Sequence, residues 1–168
     1  GEGFHHVAFA VPDVDDALTR GSAWVTLWDA LLEGQVTPAA LVDLALRALP
    51  RETDELTVQR ILGYLHAAFW RYSSPQARAT AAPDIERVLR DGLDRAATSS
   101  LKGAWFQALR RVSVMPDTLA WLERVWRRQE SVAGLTLAEN DYTALALELA
   151  VREVPAWQEI LTTQLGRI

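Results

Sequence analysis

Candidate helix starts recur along this chain at intervals of roughly forty residues. Asp13, Thr53, Ser99 and Thr136 each precede a run with apolar residues every three or four positions. A second helical run lies between each pair of starts, so the repeating unit reads as a helix hairpin. Stacked hairpins of this length are the signature of HEAT- or armadillo-like solenoids, in which each unit buries its apolar face on its neighbours. The expected fold class is all-α, with about eight helices in antiparallel hairpins forming an α-solenoid, preceded by one short N-terminal strand.

The individual runs can be placed. Phe4–Val11 is apolar, partly β-branched and bounded by Gly3 and Pro12, as a strand would be. A lone strand leaves its backbone groups unpaired, so residues 1–12 read as a strand or linker from a preceding domain, and residues 13–168 as the helical repeat domain. Asp13 is the expected cap of the first helix, whose stripe is Val14, Leu18, Gly21, Val25, Trp28 and Leu32, flanked by Trp24 and Leu31. Thr37-Pro38 restarts the chain as N-cap and N1, with Leu41, Leu44, Ala45 and Ala48 facing inward. Val58, Ile61, Leu62, Leu65, Phe69 and Tyr72 form the next face. Ser73-Ser74-Pro75 caps a fourth helix in which Pro83 predicts a kink or a short lead-in helix. Leu101, Trp105, Ala108, Leu109 and Val112, then Leu119, Leu122, Val125 and Trp126, carry the fifth and sixth. Thr136 with Glu139 reads as a capping box for the seventh. Trp157, Ile160, Leu161, Leu165 and Ile168 form an eighth, with no capping sequence after it.

The 49% hydrophobic content and mean hydropathy near zero suit a soluble globular protein, with the cytoplasm favoured. No apolar run reaches the roughly 18–20 residues of a membrane span, and no basic-then-apolar leader opens the chain. The absence of cysteine excludes disulfides and thiolate metal sites. A net charge of −5 argues against nucleic-acid binding, which needs a basic face. Residues 99–131 are nonetheless net positive, with Lys102, Arg110, Arg111, Arg124, Arg127 and Arg128 against Asp117, Glu123 and Glu130. A solvated helix face is the simpler reading of that segment, and an anion or peptide-carboxylate surface is the sharper one.

Catalytic patterns are missing. There is no His-Glu-x-x-His, no Gly-x-Ser-x-Gly elbow and no phosphate-cradling loop. His5 and His6 are adjacent, so a strand would point them to opposite faces. His66 has no second His or Cys near it, and Asp13, Asp15 and Asp16 lack the Gly and distal Glu of a calcium loop. Trp24 and Trp28, one turn apart, are suited to a helix–helix seam. Trp121 and Trp126 lie among Arg124, Arg127 and Arg128. These five are the candidates for a ligand-facing surface, against the alternative of core tryptophans with arginines reaching outward.

The segment Leu18–Gly34, LTRGSAWVTLWDALLEG, resembles the start of the helical C-terminal domain of the aminopeptidase N family of zinc metallopeptidases. In bacterial members a similar Ala-x-x-x-Leu-Trp-Asp stretch follows a small β-sandwich. Thr53-Asp54 with Val58-Gln59, the run Leu145–Arg152, Glu159-Ile160-Leu161 and Gly166-Arg167-Ile168 are similar to later parts of that domain. The Gly1-Glu2-Gly3 opening and Phe9 are similar to the strand leading out of the sandwich.

The resemblance implies a fragment of a larger enzyme. The parent would bind zinc through His-Glu-x-x-His and a downstream Glu, and hold the substrate amino terminus with a Gly-x-Met-Glu-Asn loop; neither motif occurs here. No catalytic, cofactor-binding or metal-ligating residue is therefore carried over, and this chain alone is expected to be inactive. Zinc belongs to the missing catalytic domain. The implied role is a curved lid that closes over the catalytic cleft and limits access, with peptide substrate and the enzyme's own catalytic domain as partners. The alternative is an independent HEAT-like scaffold that binds a partner protein. A self-contained hydrolase with an unrecognised site is a third possibility.

Overall fold

The computed structural model describes residues 16–167, and these are all-helical. The expected strand at 4–11, the Asp13 cap, His5, His6 and Ile168 lie outside the described residues. The helices are α1 (Ala17–Leu32), α2 (Pro38–Ala48), α3 (Glu55–Ala67), α4 (Pro75–Arg95), α5 (Ser99–Val112), α6 (Pro116–Trp126), α7 (Glu139–Val151) and α8 (Trp157–Leu165). A π-helical turn, Ala68–Tyr72, prolongs α3.

Local chemistry explains most helix starts. Asp16, Thr37, Asp54, Ser74 and Thr98 each accept a hydrogen bond from a backbone N–H three residues on, satisfying a donor that has no partner within the helix. The expected Thr136–Glu139 capping box does not form. Helix α7 starts two residues later, where the Asp141 carboxylate accepts the Ala138 N–H at 2.9 Å. Leu135 and Leu137 pack against the core in this connection, and Glu139 is engaged by Arg128 and Gln164 instead of a backbone amide. Helix α6 has no side-chain cap of its own. Glu86 on α4 supplies one from outside, its Oε1 accepting the N–H groups of Val114 at 2.7 Å and Met115 at 2.9 Å. Helix α4 runs through Pro83 as one element, so the lead-in helix does not form.

The buried face of α1 departs from the expected stripe. Gly21, Trp24, Leu27, Ala30 and Leu31 are buried, whereas Leu18, Val25 and Leu32 are 79%, 38% and 52% exposed. Helix α1 is apolar on two faces, so spacing alone does not decide which one turns inward. Two tail residues are displaced similarly. Tyr72 is exposed where the wider π-turn, with less rotation per residue than an α-helix, follows Phe69. On α8 the inward positions are Ile160 and Gln164, leaving Leu165 exposed.

The odd-numbered helices pack successively, α1 on α3, α3 on α5 and α5 on α7. They run parallel. Arg20 near the start of α1 pairs with Glu52 just before α3 at 2.8 Å, and Thr98 before α5 donates to Glu55 at the start of α3. At the opposite ends, Trp70 Nε1 and the Arg152 guanidinium both donate to the Arg111 carbonyl. Helix α2 packs on α1, α3 and α4, while α4 lies along α5. The α4/α5 contact is close because of Gly92, where a Cβ would sit 2.5 Å from the Trp105 ring.

Two outcomes follow. Gly92→Ala destabilises the chain by about 1–3 kcal/mol, because a clash with a rigid indole outweighs the helix propensity gained. Urea denaturation should show this loss, with partial recovery when Trp105→Leu is added; an unchanged midpoint refutes it. For Glu52, burial acts to raise the pKa, but the Arg20 hydrogen bond and the N–H groups of Asp54 and Thr53 outweigh it and hold the carboxyl below its usual value. The stabilisation from a lowered carboxyl pKa is present above the unfolded value and lost as pH falls through the folded one. Glu52→Gln therefore destabilises by about 1–3 kcal/mol at pH 7, and the gap narrows below about pH 4.3. A gap of equal size at pH 7 and pH 3 would count against this account.

Candidate functional site

The five residues singled out as a surface are separated and engaged. Trp121 is half-buried, edge-to-face with Phe106 at 6.1 Å, with the Arg90 guanidinium 3.6 Å from its ring centre. Trp126 is 1% exposed and its Nε1 donates to Gln164 Oε1 at 2.9 Å. Arg124 pairs with Glu130 at 2.6 Å, and Arg128 pairs with Glu139 at 2.8 Å while covering Tyr142. Arg127 bridges Glu123 and Glu159 at 2.8 and 2.9 Å, hydrogen bonds that raise its pKa. Glu159 is correspondingly held low by Arg127. The positive charge of α6 is thus neutralised in place.

A concavity lies elsewhere, away from α6. It is a groove of about 450 Å³ between α3 and α5. Gly63, Ala104 and Ala108 form a floor of small residues, so the two helix backbones are approachable there. Gln59 on one helix and Gln107 on the other supply amides, and Ser100 a hydroxyl. Among the described residues these three side chains have no hydrogen-bond partner. His66 and Arg111 stand at the far end. Because α3 and α5 run parallel, Gln59 and Ser100 share one end of the groove, and the C-terminal residues share the other.

Positive charge lies at that far end. Arg111 and Arg71 face His66, and among the described residues neither has a carboxylate partner. Arg152 also faces His66, but it is bonded to Glu148 at 2.6 Å. Burial lowers the His66 pKa most, Arg111 next, and Arg71 and Arg152 add to this, while Glu148 opposes. The imidazole is therefore kept neutral, able to donate one hydrogen bond and accept another.

In the sequence His66 is an isolated histidine, Arg111 belongs to a charged segment and Gln59 enters only through the Val58-Gln59 resemblance; none of these, nor Ser100 or Gln107, stands out as a site residue. The available signal was a pair of polar and small stripes at helical spacing, Gln59-Gly63-His66 and Ser100-Ala104-Gln107-Arg111. Their proximity depends on α3 and α5 being second neighbours in the chain, which neither stripe reveals. Among the described residues no three His, Asp or Glu side chains form a group that could hold a metal ion, and no helix is long and apolar enough to cross a membrane. The chain matched no protein-family model and no curated protein.

The groove electrostatics can be read directly. Following the His66 ring protons by NMR should give a pKa below the ordinary 6.5. Arg111→Gln moves it upward by removing a like charge, without full recovery because burial remains. A lowered folded pKa means that His66 costs the folded state nothing well above pH 6.5 and destabilises it as the pH falls below that value. An unshifted His66, or one insensitive to Arg111→Gln, contradicts this assignment.

Proposed function

We propose that this chain is a non-catalytic helical-repeat unit of a zinc-dependent aminopeptidase, where it caps the active-site cleft and controls peptide access. The observation that carries the reading is the double apolar character of α1. Its inner face, Trp24, Leu27 and Leu31, supports the core, while Leu18, Val25 and Leu32 lie along the exposed face at seven-residue spacing. Exposed apolar surface of this kind marks an interface, and α1 is also where the resemblance to the aminopeptidase N family is densest. Parallel packing of every second helix is what a HEAT/armadillo-like stack produces, and such stacks bind ligands along one layer. The α3/α5 groove, on the odd-helix layer, is the peptide-facing surface in this reading.

In this reading zinc belongs to the parent's catalytic domain. No catalytic step is assigned to this chain.

The test is the full reading frame together with the parent enzyme. The upstream sequence should encode His-Glu-x-x-His, a downstream Glu and Gly-x-Met-Glu-Asn. Deleting residues 16–167 from the parent should retain hydrolysis of small aminoacyl reporters while changing discrimination among longer peptides. A frame that opens near Gly1 would overturn the proposal and leave the independent scaffold. Stoichiometric, tightly held zinc or aminopeptidase activity in the 168-residue chain would do so as well.

A further inference from the structure

We propose that the α3/α5 groove receives an extended peptide segment, and that its His66–Arg111 end receives an Asp or Glu side chain of that segment. The inference rests on the reading of this groove as the peptide-facing surface and specifies the ligand that surface selects.

The groove has the means to hold a peptide backbone. A peptide group offers one donor and one acceptor, and a carboxamide offers the complementary pair. Gln59 and Gln107 stand on opposite sides with no hydrogen-bond partner among the described residues, over a floor of small side chains. Along α5 the lining runs from Ser100 to Arg111, about 16 Å at helical rise. That length matches about five residues of extended chain. The volume of about 450 Å³ is within the range of specific ligand sites.

Charge complementarity identifies what lies at the far end. The chain as a whole is acidic, at −5, and Arg124, Arg127 and Arg128, at the end of α6 and just after it, are matched to carboxylates. Arg111 and Arg71 are not, and both face the partly buried His66. The carboxylate that acts on His66, Glu148, is already bonded to Arg152. A guanidinium at the rim of a semi-enclosed groove recognises a carboxylate through charge-assisted hydrogen bonds.

The geometry favours a side chain over a peptide C-terminus. Capture of a terminal carboxylate uses convergent backbone N–H groups. This end of the groove lies near the C-terminal end of α5, whose Arg111 carbonyl already accepts from Trp70 and Arg152, while α3 continues into the π-turn. The recognising groups are therefore side chains, and the bound chain passes between them. Protonation of His66 adds a positive charge facing Arg111, Arg71, Arg152 and Glu148, so a bound carboxylate and a protonated His66 support one another.

Calorimetric titration of the 168-residue chain tests the proposal. The probes are five-residue alanine peptides, acetylated and amidated, with Glu placed at each position in turn, beside matched Gln peptides. One Glu peptide should bind about tenfold more tightly than its Gln counterpart at pH 7, the scale of one charged hydrogen bond. The preference should widen at pH 5.5. Arg111→Gln should erase the preference, bringing the Glu peptide down to the affinity of its Gln counterpart. Gly63→Phe should abolish binding of both peptides, since a Cβ there meets nothing within 4 Å and the ring projects into the groove.

Equal affinity for Glu and Gln peptides overturns the acidic specificity and leaves the peptide-facing reading standing. Binding of neither peptide removes that reading as well. A Gln peptide that binds only with a free C-terminus identifies a terminal carboxylate and overturns the side-chain assignment. Self-association of the chain that Gly63→Phe abolishes would identify a second copy as the occupant. Peptide binding that survives Gly63→Phe places the site elsewhere.

Discussion

The contact between Gly92 and the face of Trp105 sets how closely α4 and α5 approach. An indole occupies the space where any other residue on α4 would place a Cβ. With that spacing set, Glu86, less than two turns earlier on α4, reaches the start of the α5–α6 connection and caps it. The same packing holds α5 in position as the shared neighbour of α3 and α7. The groove is thus a secondary result of helix packing on the opposite side of α5. Dense interiors transmit small displacements, so an error at Gly92 would be felt across α5 at the groove wall.

Much of the fold was readable because helix signals are local. Thr37-Pro38, Ser74-Pro75 and Thr98 act through contacts within three residues, and the inward faces of α2 and α5 follow from spacing alone. Where reading failed, a nonlocal contact decided. Helix α1 offered two apolar faces, and burial went to Trp24, Leu27 and Leu31. Thr136 had the right neighbour in Glu139, but that carboxylate found Arg128 and Gln164 across the fold. Tyr72 was displaced by a π-turn that no residue pattern announces.

The site was less legible for a related reason. Sequence draws attention to dense clusters of charge and aromatics, such as Trp121 to Arg128, yet density invites neutralisation. Opposite charges brought within reach pair with one another, and the tryptophans supply bulk to the core. The groove residues are sparse and chemically modest, two glutamines, a serine, a histidine and an arginine spread over some fifty positions. Their significance arises from what they lack, namely partners among the described residues. Such a deficit can be recognised only after the helices are placed.

Arg111 divides its work between backbone and side chain. Its carbonyl joins the π-turn, α5 and the end of α7 through Trp70 and Arg152, and its exposed side chain lines the groove. Every amino acid carries that carbonyl, so the three-way junction does not depend on which residue occupies the position. Descendants of this chain could therefore exchange the side chain, reversing or erasing the charge presented to a ligand, without reworking the scaffold beneath it. Selectivity and architecture are separable at this one residue, and that makes it a point where recognition can diverge while the fold stays the same.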